Sequence, residues 1–482
     1  MHKLTGIASL LLLLGGPAMA EPTPSTAVRD GEALFTTGAR PGQAAPRATM
    51  ANGDAMPATA LPCAGCHGTD GAGRRGEAGV TPPPVAWSAL SRAMPGRPAY
   101  DEPTALRAVV QGIGAGGRPL DPVMPRYGLT IEDGRNLVAF LRSLDTRPVP
   151  GVEENLVRIG LLLPPGPAGE AFATAFEAAL ATSAPDGVFG RRAAVVRATV
   201  PNPREAGAVA RRLLQDDVLA LASALPGEAG SVAAAAAAEA RVPVLNARAT
   251  ASPPPLSFAL LPGVVEEGTA LLSGLSNPGR ALLVAGTPDA RHLAEAIAER
   301  IGQISDDEPR VVTPSGLAEA VTDASGVLLL TPAAALAGMP FLRELTVPVL
   351  LPAAVGGAEA PALAAALERP VRLGIGIPLG GSGGAAADRF AASAARGAGM
   401  PGRLGHAAGE VFAEALRRAG RNVTRERIAA VFGAPETFEP GSLPGLRLAG
   451  GARVGSVEVW TAEVDGAGRV LGGPRSGVTA GN

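Results

Sequence analysis

Five consecutive residues, Cys63-Ala64-Gly65-Cys66-His67 in the stretch "LPCAGCHGTDGAG", constrain this chain more than any other feature, because they hold both of its two cysteines. A tight disulfide, a thiol redox pair and half of a zinc site are the plain readings of such a spacing. A redox pair of this kind opens a helix after a buried strand. The flanks here are Gly, Pro and Ala, with no buried-strand pattern before Cys63. A structural zinc ion needs four ligands. There is no third cysteine, and past residue 67 the histidines are His292 and His406, far along the chain. The disulfide stays as the bland alternative.

C-x-x-C-H also fits covalent attachment of a c-type haem. Both thiols add to the vinyl groups, and the adjacent imidazole turns to the iron. One helical turn presents both sulfurs and the ring to the same edge of the porphyrin. The start of the chain supports this chemistry. "MHKLTGIASLLLLLGGPAMA" has Lys3, an apolar run to Leu14 and a small-residue end at Ala18-Met19-Ala20. It reads as a signal peptide over residues 1–20, with the mature chain starting at Glu21. The apolar run is too short to span a bilayer, and no later segment holds about 18 uninterrupted apolar residues. The expected location is therefore the periplasm, an oxidising compartment, with no stable membrane insertion. The formal net charge is −2 and Lys3 is the only lysine. No basic block points to nucleic acid, and no basic amphipathic helix points to a membrane surface.

The sixth ligand of the iron is the next question. His67 is the only histidine in its part of the chain, so a bis-histidine site is excluded there. Methionine is the usual partner in electron carriers and raises the potential. Met50 and Met56 precede the motif in an Ala/Gly/Pro region. Met94 lies in "SRAMPGRPAY" and Met124 in "GGRPLDPVMPRYGLT". Pro122 and Pro125 stiffen the Met124 loop, just before a helical pattern over residues 130–144. Met124 is the expected ligand and Met94 the second choice.

The flanking helices agree. "DGEALFTTGA" offers Asp30 as an N-cap and sets Gly31 and Phe35 on one face, while "IEDGRNLVAFLRSL" aligns Leu137, Phe140 and Leu141. Together with Cys63-Ala-Gly-Cys66-His67, "MPRY" and "LVAFLRSL", these residues resemble a class I c-type cytochrome over residues 28–146. The resemblance implies a small all-α monohaem domain, residues 21–147, carrying one haem c with one edge exposed. The insert from Thr37 to Leu61 is longer and looser in composition than such a core requires.

"DTRPVPGVEEN" then reads as a linker, centred on residues 148–154. Beyond it "NLVRIGLLLP" is a continuous apolar run of the buried-parallel-strand kind. Strands and helices alternate at short spacing: "GEAFATAFEAALATSA" a helix, "RRAAVVRATV" a strand, "PREAGAVARRLLQD" a helix, "DVLALASA" a strand, "EAGSVAAAAAAEAR" a helix and "VPVLNA" a strand. A second set follows, including strands in "RALLVAG", "RVVTPSG", "SGVLLLTPA", "VPVLLPAA" and "RLGIGIPLG", a helix running to Leu345, and two late helices in "GHAAGEVFAEALRRAGRNVTRERIAAVF". Two βα sets imply two lobes with a cleft between them. "RIGLLLP", "PREAGAVARRLLQDDVLALASA", "RVPVLNA" and the late helices resemble the type I periplasmic solute-binding proteins of branched-chain amino acid and amide ABC importers. The resemblance spans residues 155–465, leaving 466–482 as a flexible tail, with lobe crossings expected near residues 261, 375 and 435.

In that family a Gly/Ser/Thr-rich loop after the third strand holds the ligand carboxylate. This chain has "SALPGEAG", where Leu225 and Pro226 remove polar capacity. Ser223, Asn246, Arg248 and Thr331 are the cleft candidates that remain. His292 and His406 read as helix-surface residues without a metal role. The resulting expectation is a multidomain periplasmic electron carrier, not an enzyme. It combines a His/Met haem with a two-lobed α/β fold for docking or for sensing a small-molecule ligand. Its redox partner would be a periplasmic dehydrogenase such as a quinoprotein. The alternative is the receptor of an ABC importer for an amino acid, amide or small apolar solute, with an appended haem domain. A haem enzyme with an open iron falls away if Met124 ligates.

Overall fold

The computed structural model describes residues 25–73, 82–331, 340–376, 385–450, 453–456 and 458–476. The expected signal peptide and most of the helix expected to run to Leu345 lie outside them. The chain divides into two compact units, Met1–Arg147 and Pro148–Asn482.

The first unit is built on two helices. Helix α1, Thr26–Thr37, starts at Ser25, whose hydroxyl accepts from the Val28 N–H, so Asp30 lies inside the helix rather than capping it. The earlier start brings Val28 onto the apolar cluster of Leu34, Phe35, Leu137, Phe140 and Leu141. After it come β1 (Arg47–Thr49), β2 (Ala55–Pro57), α2 (Cys63–His67), α3 (Trp87–Leu90), α4 (Glu102–Gln111) and β3 (Arg126–Tyr127). Helix α5, Ile131–Ser143, opens on a reciprocal Thr130–Asp133 capping box. Gly31 is needed where α1 crosses α5, because a Cβ there would collide with the Asn136 carbonyl. That close approach sets Phe35 against Phe140 with ring centroids 5.2 Å apart. The unit is not all-α. β2, β1 and β3 form a three-stranded antiparallel sheet, and two of its strands come from the insert expected to be loose.

The second unit opens on residues 148–154, which are docked rather than free. Val149 and Val152 pack on the apolar core, and Gly151 lets the backbone approach Leu219. Lobe 1 is a parallel sheet in the order β5-β4-β6-β7-β8. Its strands are β4 (Leu156–Leu163), β5 (Arg192–Thr199), β6 (Ala220–Ser223), β7 (Val244–Arg248) and β8 (Ser257–Leu261), joined by α6 (Pro167–Ser183), α7 (Ala206–Leu214) and α8 (Gly227–Glu239). Lobe 2 holds α9 (Val264–Ser273), β9 (Leu282–Val284), α10 (Pro288–Gly302), β10 (Arg310–Val312), β11 (Val327–Leu329), β12 (Val349–Pro352) and β13 (Val371–Ile375). Its sheet runs β10-β9-β11-β12-β13-β14-β15 and ends in an antiparallel pair. Those last strands are β14 (Trp460–Val464) and β15 (Val470–Ser476), so most of the expected flexible tail is a hairpin. Asp465 closes its turn by accepting from the Ala467 and Arg469 N–H groups.

The long helix Gly399–Ala419 returns to lobe 1 and lies along α6. Gly405 and Gly409, one turn apart, admit the Phe172 and Phe176 carbonyls where any Cβ would collide. Phe176, Phe412 and Phe432 then stack edge to face through the core. The first two crossings between lobes fall where expected, after Leu261 and after Ile375. The third falls later than residue 435. Phe438, Leu443, Leu446 and Leu448 stay in the lobe 1 core, Val454 bridges to Ala259, and only then does the chain reach β14. Burial of the spaced apolar side chains of Phe438, Leu443, Leu446 and Leu448 keeps the chain in lobe 1 for one more pass.

Candidate functional site

The attachment motif is one turn of helix, α2, started by Pro62 and ended at Gly68. Both cysteines are free thiols; Cys63 is half-buried and Cys66 exposed. The tight disulfide is therefore not formed. Cys63 sits against two apolar clusters that include Leu34, Phe35, Ala48 and Tyr127. Burial pushes its thiol, before any attachment, up to about 12. His67 is 8% exposed. Its Nδ1 lies 2.9 Å from the Pro83 carbonyl oxygen. A carbonyl can only accept, so Nδ1 carries the proton and the Nε2 lone pair is left for a metal. Burial lowers the pKa of this imidazole, with the Pro83 contact opposing, which favours the neutral, ligating form. Two unpaired thiols and one oriented imidazole on a single turn, set in an apolar shell, are the donor set a covalent haem requires. The residues present fit it.

Met124 is half-buried at the end of a turn in which its N–H reaches the Asp121 carbonyl at 3.1 Å and the Val123 N–H reaches Asp121 Oδ1 at 2.9 Å. Arg126 donates to the Met124 carbonyl. Met94 is 58% exposed in a turn pinched by paired hydrogen bonds to Arg97. Among the described residues, no group of three or more His, Cys, Asp or Glu side chains could hold a metal ion.

The four cleft candidates take a different form. Ser223 is buried and accepts from the Leu225 N–H at 3.3 Å. Asn246, its register partner on β7, donates to Ser257 Oγ at 2.9 Å and the Phe258 carbonyl at 3.1 Å. Thr331, in lobe 2, accepts from the Gly286 N–H at 2.8 Å. Arg248 donates to the Pro262 carbonyl at 3.2 Å and to Glu267 Oε1 at 3.0 Å. Glu267 has no exposed surface, and it also accepts from the Ala354 and Gly376 N–H groups at 2.7 and 2.8 Å. Burial raises the Glu267 pKa, with Arg248 and the backbone donors opposing. Lobe 1's guanidinium is thus spent on lobe 2's carboxylate. Leu225 turns into the apolar cluster of α7 and α8, and Pro226 caps α8. A Cβ on Gly227 would stand 2.9 Å from Asp289 Oδ2 of α10, so the protein's own carboxylate faces the start of α8. Two cavities, of about 530 and 460 Å³, lie along α6 and the long helix, away from these residues.

His292 is exposed as expected. His406 is not a surface residue. It is 4% exposed, with its ring 5.1 Å from Phe390 and Nδ1 3.5 Å from Glu410 Oε2. Glu410 is anchored in turn by Arg389 and the Gly441 N–H. The glycines around His406 in "GRLGHAAG" draw its helix face onto α6, and the surface reading missed that.

These features define a c-type cytochrome domain joined to a two-lobed periplasmic-binding-protein fold. Residues 50–145 match the family model for cytochrome c. No curated protein matches the chain at a significant level. Among solved structures, a leucine-binding protein from Thermotoga maritima is 18% identical, with a TM-score of 0.52 over 66% of this chain and 98% of its own. A fatty acid ABC transporter substrate-binding protein from Thermomonospora curvata is 15% identical, with a TM-score of 0.51 over 69% and 95%. A branched-chain amino acid substrate-binding protein from Streptococcus pneumoniae, solved with isoleucine, is 14% identical, with a TM-score of 0.50 over 67% and 99%. At these identities the likeness is one of fold. Among the described residues, no helix is long and apolar enough to cross a membrane.

Proposed function

We propose that this protein is a periplasmic electron carrier. Cys63 and Cys66 would hold one haem c covalently, and His67 and Met124 would be the side chains that ligate its iron. The haem would supply a one-electron couple, and ligation by both His67 and Met124 would leave no position for substrate. The observation that carries the reading is the His67–Pro83 hydrogen bond, which puts the proton on Nδ1 and leaves the Nε2 lone pair for a ligand. The second unit serves as a placement module for a periplasmic dehydrogenase, a quinoprotein alcohol dehydrogenase being the partner class that suits it. Support comes from the cleft candidates, whose polar groups, apart from the Asn246 Oδ1, are taken up inside the protein. The importer-receptor reading draws on fold alone, and fold does not establish binding.

Acid–acetone should leave the haem on the holoprotein, and the reduced protein should not bind carbon monoxide. Clean extraction of the pigment removes the covalent site. Rapid carbon monoxide binding to the wild type replaces the carrier with a haem enzyme whose iron is open.

A further inference from the structure

The segment expected to be loose braces the loop of the axial methionine. β1 pairs with β3, which begins two residues after Met124, in the register Ala48↔Tyr127 and Thr49↔Arg126. Ala48 is fully buried, and the Gly128 N–H reaches the Arg47 carbonyl at 2.9 Å. Arg126 donates to the carbonyls of Met124 and, at 3.5 Å, Leu120. Its guanidinium lies over Gly112, the left-handed end of α4 (φ 71°), where any Cβ would overlap it. Tyr127 is 6% exposed, and its hydroxyl donates to the Leu61 carbonyl at 2.7 Å. Leu61 precedes Cys63 by two residues.

We propose that Arg126 and Tyr127 are positioning residues that hold the Met124 thioether for the iron by fastening its loop to α4 and to the attachment motif. The inference rests on Met124 being the axial ligand. A neutral thioether is a weak donor whose hold on a metal depends on how little freedom its loop retains. Partners behind a metal ligand commonly change affinity by roughly 10–100-fold. Arg126 closes the loop on itself and over α4. Tyr127 ties the segment carrying Met124 to the segment carrying Cys63 and His67 through the part-buried hydrogen bond of its hydroxyl to the Leu61 carbonyl. The β1 ladder holds both residues in register.

The test is an imidazole titration of the ferric holoprotein, followed by the weak far-red thioether-to-iron band that displacement of Met124 removes. Tyr127→Phe should lower the imidazole concentration at half-displacement about fivefold, the worth of one neutral hydrogen bond. Arg126→Gln should lower it about tenfold or more, since its bonds are charge-assisted, and Arg126→Lys should recover part of the loss. Ser88→Ala removes the 2.5 Å hydroxyl bond to Asp145, a bond that involves no residue of the loop. It should lower the unfolding midpoint and leave the titration unchanged. Titrations of Tyr127→Phe and Arg126→Gln that match wild type, with the band lost in Met124→Ala, overturn the positioning roles alone. A band that survives Met124→Ala overturns the ligand assignment and the positioning roles with it.

Discussion

The attachment motif and the interlobe cleft both carry functional expectations, and they treat their polar groups in opposite ways. In the motif, Pro83 engages one imidazole nitrogen of His67 and leaves the other with a lone pair; neither thiol is in a disulfide, and Cys66 is exposed. In the cleft, Ser223, Arg248, Thr331 and the Asn246 amide nitrogen spend hydrogen bonds on their own neighbours, and only the Asn246 Oδ1 is buried without a partner among these four residues. A buried polar group without a partner costs free energy. One held in an oriented but incomplete state is therefore a stronger sign of a ligand than a polar residue in the expected place. By that measure the first unit holds the fuller set of groups ready for a ligand, and the second spends its charged and hydroxyl groups internally while keeping one orphan acceptor, Asn246 Oδ1.

The sharpest way to break the comparison is at the motif. Cys63→Ser with Cys66→Ser should abolish covalent haem. The mass of the exported protein would then equal that of the polypeptide, and acid–acetone would strip any pigment. His67→Ala should keep attachment while losing the low-spin spectrum. Covalent haem in the double serine variant would place the attachment elsewhere and remove the contrast.

The two sites were unequally legible in the sequence for a physical reason. A covalent attachment site is local: five residues on one helical turn contain all of its chemistry, and reading them needs no tertiary structure. The helix crossing was legible too, because Gly31 and Phe35 repeat at helical spacing. The brace behind Met124 was not, because β1 and β3 are strands of three and two residues, too short for a period-two pattern. The cleft was legible only as a set of positions. Arg248 is a cleft cation in the sequence and an ion-pair donor in the structure, and its partner Glu267 lies 19 residues on, across the first lobe crossing. "VVEEGTALL" gives no sign that its second glutamate is fully buried. The hairpin of β14 and β15 was missed because its glycines read as disorder.

A second break addresses that ion pair. Glu267→Gln puts an amide donor against Ala354, Gly376 or Arg248, each of which already donates. Losing one partner of a buried pair costs about 3–5 kcal/mol, read as a fall in the urea midpoint of the second unit. The pH dependence has a definite sign. The folded pKa of Glu267 is raised above 4.5 by burial. Its contribution to stability is therefore fully present below the unfolded value and lost as pH rises through the folded value. The cost of Glu267→Gln should accordingly be largest at low pH and shrink as pH rises. A cost that grows with pH instead would mean that Arg248 and the two backbone donors outweigh desolvation, with Glu267 stabilised as an anion.

The smallest expected effect is the most informative about the second unit. Leucine, isoleucine, valine and small amides should not shift the thermal midpoint of the holoprotein. A ligand that binds only the folded state stabilises it by an amount set by its excess over the dissociation constant, about 2.7 kcal/mol at a hundredfold excess. A micromolar binder at sub-millimolar concentration would thus move the midpoint by several degrees, well within calorimetric reach. Silence is expected because a bound carboxylate would need donors this cleft does not offer. Pro226 has no N–H, Leu225 points into the core, Arg248 is paired with Glu267, and Asp289 adds negative charge where the start of α8 would otherwise attract an anion. A clear shift with leucine would require the lobes to open and Arg248 to leave Glu267. Glu267→Gln, which frees Arg248 from its counter-ion, should then bind leucine more tightly than wild type. That pairing of outcomes would make the second unit a receptor held shut by its own ion pair, and would end the contrast between an open site and a closed one.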